Sequence, residues 1–145
     1  MNYYEEIKTE LINNEITKKV KDYSKNRSDL NTYYNVGKLL SEADKHYGEG
    51  IIKEYSKRLT NELGKGYSIS NLKRMRQFYF VLEKGVAMPH QLSWSHYRTL
   101  LSLPDENTIE YYIKIIIEQE LSVRELRKRI KSNEYERLDE KTKKN

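Results

Sequence analysis

The chain has 145 residues, of which 34% are charged, with six glycines, two prolines and no cysteine. Because turn-rich sheet proteins use many glycines and prolines, this composition favours helices, and the length is enough for one domain with a buried core. The lack of cysteine excludes a disulfide scaffold and a thiolate metal site, and it is compatible with the cytoplasmic location that we expect.

The chain shows no membrane signal. Its first residues, MNYYEEIKTE, lack a basic stretch followed by an apolar one, so we expect no signal peptide. The longest apolar run, residues 111–117, is interrupted by Lys114 and is too short to span a bilayer. We therefore expect no membrane partner.

The formal net charge of +5 is unevenly distributed along the chain. Residues 51–100 carry nine basic and three acidic side chains, whereas the segments before and after are close to neutral. A basic surface attracts phosphates without regard to base sequence. The alternative interpretation is a solvated basic face that keeps the protein soluble.

Two helices are predicted before residue 48. The first runs from Tyr3 to about Asp22, and its inward stripe is formed by Ile7, Leu11, Ile12, Ile16 and Val20. A polar break follows, in which Ser28 or Asp29 caps the second helix. Gly37 inside that helix either permits close helix packing or faces solvent.

The next two helices carry the most informative stretch, GKGYSISNLKRMRQFYF, residues 64–80. The third helix is predicted from Ile51 to Leu63, with Gly64 as a left-handed cap, and the fourth from about Ser68 to Leu82. On a helical wheel the fourth helix has an inner side of Leu72, Met75, Phe78, Tyr79 and Leu82. The polar side holds Ser70, Lys73, Arg74 and Gln77, with Asn71 and Arg76 at the borders.

Three shorter helices are predicted after residue 90. Ser93 caps the first, Pro104 and Asp105 start the second, and SVRE (residues 122–125) forms a capping box for the last. The predicted fold is a compact all-α, multi-helix domain containing a helix-turn-helix. We predict a packed helical pair at 1–47, the core at 48–131 and a charged, partly frayed tail at 132–145.

Catalytic patterns are not found in the sequence. The three histidines lack metal-ligand spacing, no glycine-rich phosphate loop exists, and no serine lies in an elbow motif. Carboxylate pairs lie at positions expected to be exposed, where general acid–base catalysis is disfavoured. We expect no enzyme, no cofactor and no metal.

The third and fourth helices have the order of a helix-turn-helix, whose second helix enters the major groove of DNA. The turn GKGYS is about two residues longer than the tight form. Arg and Lys bind guanine edges or phosphates, Asn and Gln bind adenine, and Ser binds either. Tyr67 is a candidate for base stacking, although most of the 13 tyrosines are expected to be partly buried core residues.

Several motifs in order carry a family resemblance. GKGYSISNLKRMRQFY, LSWSHYRTLLSL and LSVRELRKRI, ending in YERL, resemble the N-terminal domain of the bacterial YhcG family over about residues 12–138. In that family a PDDEXK-type nuclease domain usually follows. The chain stops just after YERL, so we expect the catalytic half to be absent if the chain is complete.

The same segments are similar in order to the DNA-binding module of ParB-type partition proteins. There a helix-turn-helix is followed by a helix with a histidine and an arginine, positions matched by His96 and Arg98. This similarity implies DNA binding but no target sequence.

The leading hypothesis is a non-catalytic DNA-binding module of a bacterial or mobile-element protein. It would be the targeting half of a nuclease or defence-related system, and its partner is double-stranded DNA. The candidate DNA-binding residues are Lys65, Tyr67, Ser68, Ser70, Asn71, Lys73, Arg74, Arg76, Gln77, His96 and Arg98.

The alternative is a protein-interaction module. Such a module forms a homodimer, or it binds and inhibits a nuclease or a defence complex. Its candidate contact surfaces are the acidic first helix and the apolar run at 111–117, for which intramolecular packing is the simpler explanation.

Overall fold

The computed structural model describes residues 2–20 and 25–138, and this part of the chain is helical without a strand. This confirms the all-α prediction. The helices are α1 (Tyr3–Val20), α2 (Lys25–Tyr47), α3 (Gly50–Leu63), α4 (Ile69–Glu83), α5 (Trp94–Leu100), α6 (Glu106–Gln119) and α7 (Val123–Lys131). None of the described helices is both long enough and apolar enough to cross a bilayer.

The chain divides into two compact units, Met1–Glu83 and Lys84–Asn145. The sequence-based bounds at 47/48 and 131/132 stay a prediction. In the first unit α2 packs against α1, α3 and α4. The core of this unit is formed by fully buried side chains from all four helices, among them Ile7, Leu30, Val36, Leu40, Ile52, Leu59, Leu72 and Phe78.

Gly37 sets the distance between α2 and α4. A Cβ atom built on this glycine would lie 2.2 Å from the Met75 carbonyl oxygen and 2.9 Å from the Tyr79 Cβ. Because real Cβ atoms do not approach a backbone so closely, only glycine fits at this crossing. The prediction of close helix packing at Gly37 is confirmed.

The junction between α1 and α2 differs from its prediction. Helix α2 begins at Lys25, so Ser28 and Asp29 lie inside the helix rather than at its cap. Both side chains instead bind the buried Asn14 of α1: Ser28 Oγ lies 2.5 Å from Asn14 Oδ1, and Asn14 Nδ2 donates to Asp29 Oδ1 at 2.9 Å. Lys18 Nζ adds an ion pair to Asp29 Oδ1 at 2.9 Å. A polar network therefore joins the two helices where a loop was expected.

The inward stripe predicted for α1 is correct only in its first half. Ile7 and Leu11 are buried, but Ile12 is 37% and Ile16 is 56% exposed. The side chain of Val20 lies outside the described residues. The face toward α2 is completed by Asn14 instead, so a polar residue replaces the expected apolar ones.

The second unit contains α5, α6 and α7, and its helix starts agree with the predicted caps. Asp105 Oδ1 accepts from the Thr108 N–H at 2.8 Å, and Ser122 and Glu125 form the predicted capping box. Hydrogen bonding to the Thr108 N–H lowers the pKa of Asp105. Each cap satisfies N–H groups that the first helical turn leaves unpaired.

The part of the predicted tail that the structure describes, residues 132–138, forms turns anchored on the helices before it. Glu134 accepts from Arg129 Nε at 2.5 Å and from the Tyr111 hydroxyl at 2.9 Å. The Tyr135 N–H donates to the Tyr112 hydroxyl at 3.3 Å. Burial alone would raise the pKa of Glu134, but the hydrogen bonds from Arg129 and Tyr111 outweigh burial and lower the pKa.

Candidate nucleic-acid interface

The turn between α3 and α4 requires glycine at two positions. Gly64 has φ +100° and ψ −150°, and Gly66 has φ +108°. Positive φ was expected at Gly64, but its ψ lies outside the left-handed helical region, so the predicted cap geometry is wrong. Side chains with a Cβ rarely adopt such φ values, which explains the spacing of the two glycines.

Three side-chain hydrogen bonds hold this turn in place. Ser56 Oγ of α3 donates to the Tyr67 carbonyl at 2.6 Å. Asn71 Nδ2 donates to the Gly66 carbonyl at 2.5 Å, and Ser68 Oγ accepts from the Asn71 N–H at 3.1 Å. Of the two serines that could cap α4, Ser68 and Ser70, it is Ser68 that does so. The Asn71 amide bonds the turn through Nδ2, and its Oδ1 is buried without a hydrogen-bond partner among the described residues, so neither faces an adenine.

The inner face of α4 agrees with the wheel. Leu72, Met75 and Phe78 are completely buried, and Tyr79 is half-buried. Because these side chains and Gly37 fix the rotation of α4, they also determine which residues point away from the core.

The outer face of α4 carries the predicted polar residues. Ser70, Lys73 and Gln77 are exposed, and half-buried Arg74 donates to Gln77 Oε1 at 2.8 Å. Lys65 in the turn is also exposed. No acidic residue occurs in the sequence from residue 64 to residue 82. The turn and this face together form a surface with several cations and no carboxylate of its own.

Arg76 differs from its neighbours. Its guanidinium donates to Asp44 Oδ2 at 2.7 Å and lies 3.5 Å from Glu49 Oε1, and its side chain is only 15% exposed. These carboxylates neutralise Arg76 and tie α4 to the end of α2. We therefore leave Arg76 out of the contact surface.

Tyr67 is half-buried, and burial raises the pKa of its hydroxyl. The charged groups that act on it are Glu15 and Lys18 of α1. Its ring thus packs partly inside the first unit, which fits the general expectation for the tyrosines better than the stacking role.

The second unit holds His96 and Arg98. His96 is 9% exposed, and both of its ring nitrogens have partners: Nδ1 receives the Ser93 N–H at 3.0 Å, and Nε2 lies 2.9 Å from the Leu121 carbonyl oxygen. The prediction that His96 contacts DNA conflicts with this bonding, because no ring nitrogen is left for a phosphate. Arg98 is exposed.

Two further lysines were missed by the sequence reading. Lys53 and Lys57 of α3 are exposed, on the side away from the buried Ile52, Tyr55 and Leu59. Their i,i+4 spacing opposite the apolar stripe was the available signal. In the described ranges, 2–20 and 25–138, no group of three or more His, Cys, Asp or Glu side chains could hold a metal ion.

Comparison with known proteins places this arrangement in a family. The chain matches the family described as DUF1016 N-terminal domain over residues 6–137. No curated protein and no solved structure matches it. The family match confirms the YhcG-type resemblance carried by the motifs. From this match over nearly its whole length, the chain belongs to the DUF1016 N-terminal domain family, a family of non-catalytic domains.

Proposed function

We propose that this domain binds duplex DNA through the α3–α4 turn and the outer face of α4. The observation that carries the proposal is the separation of apolar and polar side chains onto different faces of α4. Its apolar face is locked against α2 at Gly37, while Lys73, Arg74 and Gln77 face outward on a segment without carboxylates. A helix held in this way can enter a major groove without reorganising its own unit.

The roles of the side chains follow from their chemistry. Arg74 and Gln77 lie side by side and carry the donors and acceptors that bind base edges. Lys65 and Lys73 are flexible cations suited to phosphates, and the start of α4 adds the partial positive charge of a helix N-terminus. Ser70 is close enough to the start of the helix to bind either a base or a phosphate.

The biological role that we propose is targeting. The resemblance to YhcG-type proteins, in which this domain usually precedes a nuclease domain, implies a module that brings a nuclease or a defence-related enzyme to DNA. A basic helix-turn-helix suits the targeting half of that division of labour.

The test is duplex DNA binding measured by fluorescence anisotropy at two salt concentrations. For the wild type we expect affinity to fall steeply with salt. For Lys73→Ala with Arg74→Ala we expect a loss of about 30-fold or more at low salt, because two direct contacts worth about 1–3 kcal/mol each remove at least about 2 kcal/mol.

The matched control is Lys38→Ala with Lys45→Ala, which removes the same charge from exposed positions of α2. We expect it to change affinity far less. Equal losses in the two double variants would mean that only net charge matters, and absence of binding by the wild type would reject DNA as the partner.

For the alternative function, a protein-interaction module, the structure leaves a candidate contact surface at the acidic first helix. In the run 111–117, Tyr112, Ile113 and Ile116 are buried in the second unit, so this run serves intramolecular packing. A groove of about 480 Å³ remains between α1 and α2, and its lining includes Glu5, Glu6, Glu10 and Glu42. Light scattering on the purified chain tests the homodimer version of this alternative directly.

A further inference from the structure

A second surface lies beside the proposed recognition helix. A groove of about 500 Å³ runs between the N-terminal half of α3 and the start of α4, lined by Gly50, Lys53, Glu54, Ser56, Lys57 and Ile69. We call it the lysine groove. None of the candidate residues chosen from the sequence lines it.

The groove has cations without internal partners. Lys53 and Lys57 are exposed, and neither forms an ion pair with another described residue. They lie one helical turn apart, so their Cβ atoms are about 5–6 Å from each other. Two flexible ammonium groups at that spacing can reach neighbouring phosphates along one strand.

Internal contacts hold the lysine groove in place, and the groove adjoins α4. Ser56 in its floor is 8% exposed and binds the Tyr67 carbonyl, which ties α3 to the turn. Ile69, the first residue of α4, forms one wall and lies one turn before Lys73. The groove therefore leads directly onto the outer face of α4.

We propose that the lysine groove binds the sugar–phosphate backbone of the DNA strand that flanks the base pairs faced by α4. This inference rests on the proposed function. Lys53 and Lys57 contact phosphates, and Ile69, which is 38% exposed, contacts the apolar face of a deoxyribose. Such contacts fix the register of α4 in the major groove but carry no sequence information.

Glu54 allows a second test of the proposal, because its carboxylate lines the groove beside the two lysines. A carboxylate beside a phosphate is repulsive, so Glu54 limits the affinity of the backbone contact. Removing its charge should have the opposite effect to removing the lysines.

The experiment measures the salt dependence of duplex binding for Lys53→Ala with Lys57→Ala. Log affinity falls as log salt rises, and losing two phosphate contacts should make this slope less steep by about 1.8. The change in slope should be the same for two duplexes of unrelated sequence. Glu54→Gln should bind more tightly than the wild type. Thermal unfolding of each variant checks that the fold is kept.

The controls remove equal charge elsewhere in the same unit: Lys38→Ala with Lys45→Ala for the lysines, and Glu6→Gln for Glu54. If the wild type binds DNA and the Lys73→Ala, Arg74→Ala variant loses affinity, but the groove variants match their controls, the lysine groove is rejected and the proposed function stands. If the wild type binds no duplex, both are rejected.

Discussion

The polar groups of α4 and those of α5 were predicted for the same task, yet the structure uses them differently. On α4, Lys73 is exposed and has no ion pair with another described residue. On α5, His96 has both ring nitrogens bonded within its own unit. A residue type suited to DNA is therefore a weak indication of function when internal bonds occupy all of its polar atoms, as they do in the His96 ring.

The same contrast holds within α4 itself. Arg76 is satisfied by Asp44, whereas Lys73, three residues earlier, is not satisfied by a described carboxylate. Two cations that look equivalent in sequence therefore differ in the structure, since Arg76 forms an internal ion pair and Lys73 is exposed and is the one proposed to bind DNA. Four experiments test whether this distinction holds.

The largest effect is expected at His96. His96→Ala removes the partner of the buried Leu121 carbonyl and half of the capping box with Ser93. These losses together destabilise the second unit by about 2–4 kcal/mol. Thermal unfolding followed by circular dichroism measures the change. Arg98→Ala is the control, with a change within about 0.5 kcal/mol, and equal effects of the two substitutions would contradict a structural role for His96.

Gly37→Ala is expected to act next, on the placement of α4. The new methyl group meets the Met75 carbonyl, so α2 and α4 must separate, which costs about 1–3 kcal/mol in overpacked cores. This exceeds the gain of up to about 1 kcal/mol in helix propensity. Chemical denaturation should show a net loss of unfolding free energy for the first unit.

Its control is Gly50→Ala, at a helical position where an added Cβ meets nothing and φ is not positive. This substitution should be neutral or slightly stabilising. A Gly37→Ala protein as stable as Gly50→Ala would show that α2 and α4 can separate without loss.

Arg76 and Lys73 provide a smaller but more direct comparison. Arg76→Ala breaks the partly buried pair with Asp44 and should reduce stability by about 0.5–1 kcal/mol. Lys73→Ala should leave stability unchanged and weaken duplex binding. Measuring both properties on both variants separates the roles. The distinction fails if Arg76→Ala keeps full stability and loses as much DNA affinity as Lys73→Ala.

The last effect, of about the same size as that of Arg76→Ala, is a pH dependence at Glu134. Its pKa is lowered from 4.5 in the folded state, so its contribution is present at neutral pH and is lost as the pH falls through the folded value. Glu134→Gln should therefore be less stable than the wild type by about 0.5–1 kcal/mol at pH 7, and the gap should close as falling pH protonates Glu134 in the folded protein. A gap independent of pH would mean that the charge of Glu134 contributes nothing.

Much of the fold was predictable because its signals are local. Ser93, Asp105 and Ser122 cap helices through residues three positions away, and the faces of α4 follow from helical periodicity. For Gly37 the sequence left close packing and a solvent-facing position open, and the structure shows close packing. The family membership followed from motifs in fixed order.

The errors occurred where partners are distant in sequence. Ser28 and Asp29 were taken for caps because their partner Asn14 lies on another helix. Ile12 and Ile16 were placed inside because they are apolar, whereas the buried face of α1 follows Ile7, Leu11 and Asn14 and leaves them at its side. The ion pair of Arg76 was not predictable from local spacing, because Asp44 is 32 positions away.

The sequence alone determined the helices, the caps of α5, α6 and α7, the two faces of α4 and the basic segment, because these depend on spacings within one or two helical turns. Only the tertiary structure decided which polar side chains form internal hydrogen bonds or ion pairs. It assigned Arg76 and His96 to internal bonds, left Lys73 and Lys65 exposed, and brought Lys53 and Lys57 beside the start of α4. The physical reason is that burial and pairing join residues far apart in the chain, and no local pattern records those distances.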